Sequence, residues 1–299
     1  MTATLRAAGT PALDRLARAE CDAFDWCRHY ARRHDENFTV VSWFLPRALR
    51  RHFFALYAFC RATDDLGDEA PGDRLALLDA WEADLRRCFA GQRVAPLFVA
   101  LGRTIETFAI PHDLFLRLIE ANRIDQRRQR FETFADLLEY CSYSATPVGR
   151  MVLHVLGYRD ERRLRLADAT CIGLQLANFW QDVSVDLARG RIYLPIEDLR
   201  RFGCGEDDLR AGRAGPNVRR LLQFEVARAR ECFARGRELE ALVARSVRAD
   251  VSLFRRGGEA VLDAIEAARY DVLARRPRVT QRRKAWLALS LGIRMKLGL

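Results

Sequence analysis

No run of about 20 apolar residues occurs in this chain, so a membrane-spanning helix is not expected. The opening stretch, MTATLRAAGTPALDRLARAE, lacks the apolar segment of a secretory signal. The eight cysteines form no C-x-x-C pair, and several sit in apolar runs such as Leu56-Tyr57-Ala58-Phe59-Cys60. They read as reduced core thiols of a cytoplasmic protein rather than a disulfide frame or a zinc site. Neither a Walker loop nor G-x-G-x-x-G is present, which argues against a nucleotide or a dinucleotide. Zinc-finger spacing and a basic region followed by heptads are also missing. The excess of 50 basic over 40 acidic residues, a net charge of +10, is therefore not read as a nucleic-acid surface. Most of these arginines are expected on solvated helix faces, and the net charge suits anionic lipid or a polyanionic small substrate.

Sustained strand alternation is absent, whereas apolar residues recur at intervals of three and four nearly throughout. Examples are Phe53, Phe54, Leu56, Tyr57 and Phe59, then Leu137, Leu138 and Tyr140, and one long run from Ala169 to Ala188. Breaks fall at Pro46, Ala70 to Asp73, Pro111, Pro147, Gly190 to Pro195, Ala211 to Pro216 and Arg275 to Pro277. These leave helices joined by short loops, with no interdomain linker and no repeat. The expectation is a single all-α domain over residues 1–299, a helical bundle around a central apolar cavity, with a flexible N-terminal segment over residues 1–20. The segment Arg282 to Leu289 is basic and then apolar. It is expected to cap the fold, with peripheral contact at the inner membrane face as the alternative.

Two acid motifs stand out, Asp64-Asp65-Leu66-Gly67-Asp68 and Asp182-Val183-Ser184-Val185-Asp186. Residues four apart share a helix face, so each motif aims two carboxylates at one place. Glu259 and Asp263 share that spacing but read as a solvated face. The acid motifs differ because aromatic, apolar helix surrounds them. Gln175, Asn178, Asp182 and Asp186 form one polar stripe, and Tyr57, Arg61, Asp64 and Asp68 form another. Two such stripes facing across a bundle make a carboxylate-rich pocket. All-oxygen ligands suit magnesium, with manganese as the alternative, and such ions bridge to phosphate. His29, His34, His52, His112 and His154 lack paired ligand spacing and are expected to be structural.

The stretches Tyr57 to Asp65, Gln175 to Val183 and Gly190-Arg191-Ile192-Tyr193-Leu194-Pro195 resemble the squalene/phytoene synthase family, over about Asp35 to Val279. Within it the chain looks most like the bacterial hydroxysqualene synthase branch of hopanoid biosynthesis, the HpnC type. The pointers are Glu36 to Val40, Ser144 to Gly149 and Asn178-Phe179-Trp180-Gln181-Asp182-Val183. The resemblance implies an isoprenoid-synthase fold and magnesium held by Asp64, Asp68, Asn178, Asp182 and Asp186. It also implies diphosphate contacts from Tyr57, Arg61, Arg191 and Tyr270, with Gln175 and Gln181 beside the substrate. Tyr140 would lie near the reacting carbons, Phe38 would line the pocket, and Tyr140 or Ser142 would position water.

For this branch the implied reaction converts presqualene diphosphate and water to hydroxysqualene and diphosphate, without NADPH. Functional coupling to a presqualene diphosphate synthase and a hydroxysqualene dehydroxylase follows. Two departures stand out: Gly67 inside the first motif, and Gln181 where phytoene and dehydrosqualene synthases usually carry arginine. The loss of charge at Gln181 suits one diphosphate better than two. The alternatives are head-to-head condensation of two farnesyl or geranylgeranyl diphosphates and a non-catalytic helical assembly protein.

Overall fold

The structure, a computed structural model, describes residues 11–33 and 45–283. Fourteen helices make up its regular structure among the described residues. In chain order they are α1 (Pro11–Arg32), α2 (Arg47–Asp68), α3 (Arg74–Phe89), α4 (Pro96–Phe108), α5 (His112–Arg127), α6 (Phe134–Ser144) and α7 (Thr146–Val155). There follow α8 (Glu161–Gln181), α9 (Val183–Ala188), α10 (Ile196–Arg201), α11 (Glu206–Arg210), α12 (Pro216–Gly236), α13 (Leu239–Leu242) and α14 (Arg245–Ala267). The one β pairing among the described residues is a bridge between Arg130 and Ile192, so the all-α expectation holds. No described helix is long and apolar enough to cross a membrane.

Local chemistry sets the helix starts. Asp73 and Asp160 accept hydrogen bonds from the amides of Ala76 and Arg163, which caps α3 and α8. Thr133 and Asp136 form a reciprocal capping box on α6. Prolines open α4, α7 and α12, where a missing amide proton costs nothing. Helix α1 takes in Pro11 to Glu20, the second half of the N-terminal segment over residues 1–20.

Two large apolar clusters build the interior. One joins α1 to α5 and α7 through Phe53, Phe59, Phe98, Phe115 and Ile119. The other surrounds α8 with α6, α12 and α14 through Leu137, Leu176, Trp180, Leu222, Phe233 and Val261. Phe233 on α12 sits against Gly173 of α8 and Gly258 of α14, where any side chain would collide with its ring. Glycine at those positions lets three helix backbones approach closely. The first acid motif ends α2 in one cluster, and the second ends α8 in the other, so the site forms where the halves meet.

The long run from Ala169 to Ala188 is two helices, not one. Helix α8 ends at Gln181, and Asp182 (φ −104°, ψ 12°) joins it to α9. The chain returning after α14 pins this junction. Gln181 Nε2 donates to the Pro277 carbonyl at 2.7 Å, and Ser184 Oγ donates to that of Val272 at 3.3 Å. The Asp186 amide still donates to the Asp182 carbonyl at 2.8 Å, so both carboxylates keep a common side despite the break.

Cys27, Cys88 and Cys141 are buried free thiols, as the sequence implied. His52 packs edge-on to Phe24 and Phe108, 2.9 Å from the Thr104 hydroxyl. Burial, with Arg51 and Arg103 nearby, lowers its pKa to about 4, so it is a neutral structural histidine.

Behind α8, Glu225 is fully buried and Asp198 nearly so. Arg228 donates to Asp198 at 2.5 Å and to Glu225 at 3.3 Å. Burial pushes the Glu225 carboxyl up to about 8; Arg228 opposes the shift, and Asp198 adds to it. The folded protein therefore holds a proton that the unfolded chain releases above the ordinary glutamate range. Stability from this group is full below that range and is lost as pH rises through about 8. Glu225→Gln, whose amide can donate to Asp198 at any pH, should raise the melting temperature at pH 9 and leave it unchanged at pH 4. Thermal denaturation at both pH values checks this; equal shifts at the two would contradict it.

Candidate active site

Helix α2 carries Tyr57, Arg61, Asp64 and Asp68 on one face, as the spacing implied. Asn122 of α5 donates to Asp64 at 3.2 Å. Its side chain passes directly over Gly67, where a β-carbon would collide with the Asn122 amide. Gln126 adds a hydrogen bond to the Gly67 carbonyl at 2.9 Å. The glycine inside the motif is thus the seat of the residue that orients Asp64. Arg61 spans Asp65 at 2.7 Å and Glu69 at 3.0 Å, and Tyr30 donates to Asp65 at 2.6 Å. Asp65 therefore places Arg61 at the mouth of the site and leaves the forward face to Asp64 and Asp68.

The two motifs meet through arginine. Arg191, only 9% exposed, donates to Asp68 at 2.6 Å, and Arg189 donates to the other oxygen at 3.3 Å. Burial opposes the charge on Arg191, but Asp125, Tyr193 and Asp68 overcome this and raise its pKa. Arg276 grips Asp182 with two nitrogens, one at 2.8 Å, across 94 residues of chain.

The Asp186 side chain makes no hydrogen bond or salt bridge among the described residues. Burial and the neighbouring Asp182 push its pKa up to about 7, against the pull of Arg191 and Arg189. The side-chain amide oxygen of Asn178 is buried with no hydrogen-bond partner. Gln175 is half-buried one turn before it on the same stripe. Among the described residues, no three acidic, histidine or cysteine side chains converge as a metal cluster. Asp68 and Asp182 lean instead on arginines. Asp64, Asp68, Asn178, Asp182 and Asp186 nevertheless offer only oxygen, and the unpartnered oxygen of Asn178 and the raised Asp186 both call for a cation.

Beside this polar cluster lies an aromatic wall. Phe179 stacks on Tyr193 with centroids 3.9 Å apart and planes at 12°. Tyr140 and Phe131 flank Tyr193 at 5.8 and 5.7 Å. A small pocket is lined by Phe179, Val183, Ile192, Tyr193 and Leu194 together with Asp186 and Arg191. Trp180 belongs to the core, where its indole donates to the Glu225 carbonyl at 3.1 Å. An apolar pocket with a charged mouth can release an anionic group at one end while it shelters positive carbon at the other.

Of the expected site residues, Gln181 and Tyr270 sit off the polar stripe and Phe38 is not among the described residues. Gln181 is fully buried. It lies about 100° round the helix from Asp182. It braces the 276–277 turn instead, with Arg276 donating to its Oε1 at 3.3 Å. The positive charge that Gln181 lacks is supplied by Arg276. Tyr270, expected at the diphosphate, lies in the turn after α14 at φ 58°, with Glu266 and Arg230 as its charged neighbours. The third is Phe38, which falls outside the described residues, as do Glu36 to Val40 and Lys284 to Leu289.

The family pattern "Squalene/phytoene synthase" matches residues 31–283. The chain belongs to the squalene/phytoene synthase family. It is 53% identical to the crystal structure of squalene synthase HpnC from Alicyclobacillus acidocaldarius, with TM-score 0.80 over 84% of this chain and 95% of that one. A crystal structure of a dehydrosqualene synthase with ligand matches at TM-score 0.84 and 26% identity, over 94% of this chain and 99% of that one. The 15-cis-phytoene synthase of Synechococcus elongatus is 34% identical over 88% of this chain and 90% of its own length. The protein is accordingly an enzyme of a family that acts on prenyl diphosphates, and its acid motifs lie on the fold those relatives share.

Arg276 and Asp125 were missed in the sequence. Arg276 lies in the Arg275-Arg276-Pro277 break, visible there only as punctuation. Asp125 sits among Arg123, Arg127 and Arg128 and belongs to neither acid motif.

Proposed function

We propose that the enzyme converts presqualene diphosphate and water to hydroxysqualene and diphosphate. One observation carries this reading: the likeness to squalene synthase HpnC, 53% identical over most of both chains, against 34% for the phytoene synthase. The geometry suits ionisation of a prenyl diphosphate. Magnesium, held by Asp64, Asp68, Asn178, Asp182 and Asp186, would neutralise the departing diphosphate. Arg191 and Arg276 stand where they can turn from Asp68 and Asp182 to phosphate oxygens. Phe179, Tyr193 and Tyr140 offer π faces to the carbocation and keep bulk water away. The chemistry consumes no reductant.

Incubation with presqualene diphosphate and magnesium, followed by lipid analysis, tests the reading; recovery of unchanged substrate rejects it. A second reading, condensation of two farnesyl or geranylgeranyl diphosphates, is favoured by Arg276. That guanidinium restores beside Asp182 the charge that Gln181 lacks and could serve a second diphosphate. Supplying only those diphosphates separates the two readings, since only the second then yields product.

Gly67→Ala offers a finer check on the first motif. Alanine favours helix by about 1 kcal/mol, but its methyl group displaces Asn122 and breaks the hydrogen bond to Asp64. The magnesium concentration for half-maximal activity should rise several-fold with little change in melting temperature. An unchanged magnesium dependence would remove Asn122 from the site's design.

A further inference from the structure

We propose that Asp125 is a positioning residue, one carboxylate that clamps the hydroxyls of Tyr140 and Tyr193 and thereby sets the aromatic wall of the pocket. Tyr140 donates to its Oδ2 at 2.5 Å and Tyr193 to its Oδ1 at 3.0 Å. Both oxygens are thus used, and both phenols point the same way. The three groups come from α5, α6 and the loop after α9, so the carboxylate ties together side chains from three separate segments of the chain. Tyr193 is the middle ring of the stack, between Phe179 and the pair Phe131 and Tyr140, and it lines the pocket. Fixing its hydroxyl fixes the tilt of the face presented to the substrate.

Asp125 also couples the wall to the charged mouth. It is largely buried, and burial raises its pKa to about 6, restrained by Tyr140, Arg191 and Tyr193. It helps hold Arg191 charged, while Arg191 bonds Asp68. A retained negative charge behind the rings favours positive charge in front of them, where the carbocation would form. This rests on the reading that a prenyl diphosphate ionises against that wall.

The test compares Asp125→Ala, Asp125→Asn and a triple variant combining Asp125→Ala with Tyr140→Phe and Tyr193→Phe. Each is assayed with magnesium on whichever prenyl diphosphate the wild-type enzyme consumes. If wild type consumes only farnesyl or geranylgeranyl diphosphate, the presqualene reading fails while the comparison still stands. Asp125→Ala should lower kcat on the order of 100-fold, as expected for misplaced reacting groups, with KM nearly unchanged and a mixture of alcohol products. Asp125→Asn keeps a hydrogen-bonding group for each phenol, so it should restore the single product while turnover stays below wild type. The triple variant leaves no buried polar group unpaired. It should fold with a near-wild-type melting temperature and stay slow and unselective. Wild-type kcat and product in the triple variant, or a loss confined to KM, would overturn the proposal. If Asp125→Ala fails to fold, the other two variants decide.

Discussion

Asp186→Ala protein should turn over prenyl diphosphate on the order of 1000-fold more slowly than wild type, while its metal-free form melts no lower. Asp186 sits beside Asp182 without an ion-pair partner, and burial with that like charge raises its pKa to about 7. A carboxylate in that state burdens the metal-free fold, because its charge is desolvated and faces another negative group. Removing it relieves repulsion. With a divalent cation present the balance reverses, since the same oxygens neutralise the charge of the departing diphosphate. Calorimetry in a chelator and diphosphate-release kinetics in magnesium read the two halves separately. A non-catalytic assembly protein would show the first effect and have no activity to lose. A metal-free variant that melts well below wild type would show that Asp186 is structural.

Arg191→Leu should act on stability as well as turnover. Arg191 bonds Asp68, and its charge also serves Asp125 and Asp186. Without it, three carboxylates face one another in a poorly solvated space. Breaking a buried pair by removing one partner costs roughly 3–5 kcal/mol, and the partial exposure of Asp68 places this case near the lower end, about 3 kcal/mol. Chemical denaturation in the absence of metal measures that loss. Arg191→Lys should recover part of the stability but little turnover, because an ammonium cannot reproduce the planar fork. Equal recovery of both by lysine would mean that charge alone matters at this position.

The acid motifs were legible because helix geometry is local. Residues four apart share a face whatever else the chain does, and the aromatic residues around both motifs marked those faces as interior. The same reasoning overran at Asp182, where α8 stops. The cause lies nearly a hundred residues away, in the chain that returns to bond Gln181 and Ser184. Gln181 shows the point most clearly. Its missing charge is plain in the sequence, yet only packing reveals that the residue is buried and that Arg276 stands beside Asp182 instead. Asp125 was hidden for a related reason. Flanked by Arg123, Arg127 and Arg128, it looks like part of a solvated face until α5 packs between α2 and α6.

By itself the sequence determined the helical class, the helix ends at its proline and glycine breaks, the pairing of aspartates on each motif and membership of the family. These follow from backbone periodicity, capping chemistry and residue order, which act over a few residues. The tertiary structure alone decided which arginine answers which carboxylate, which aromatic rings form the wall, and that one buried aspartate ties wall to mouth. Those outcomes depend on distance through space and on exclusion of water, and both arise only when helices distant in sequence pack together.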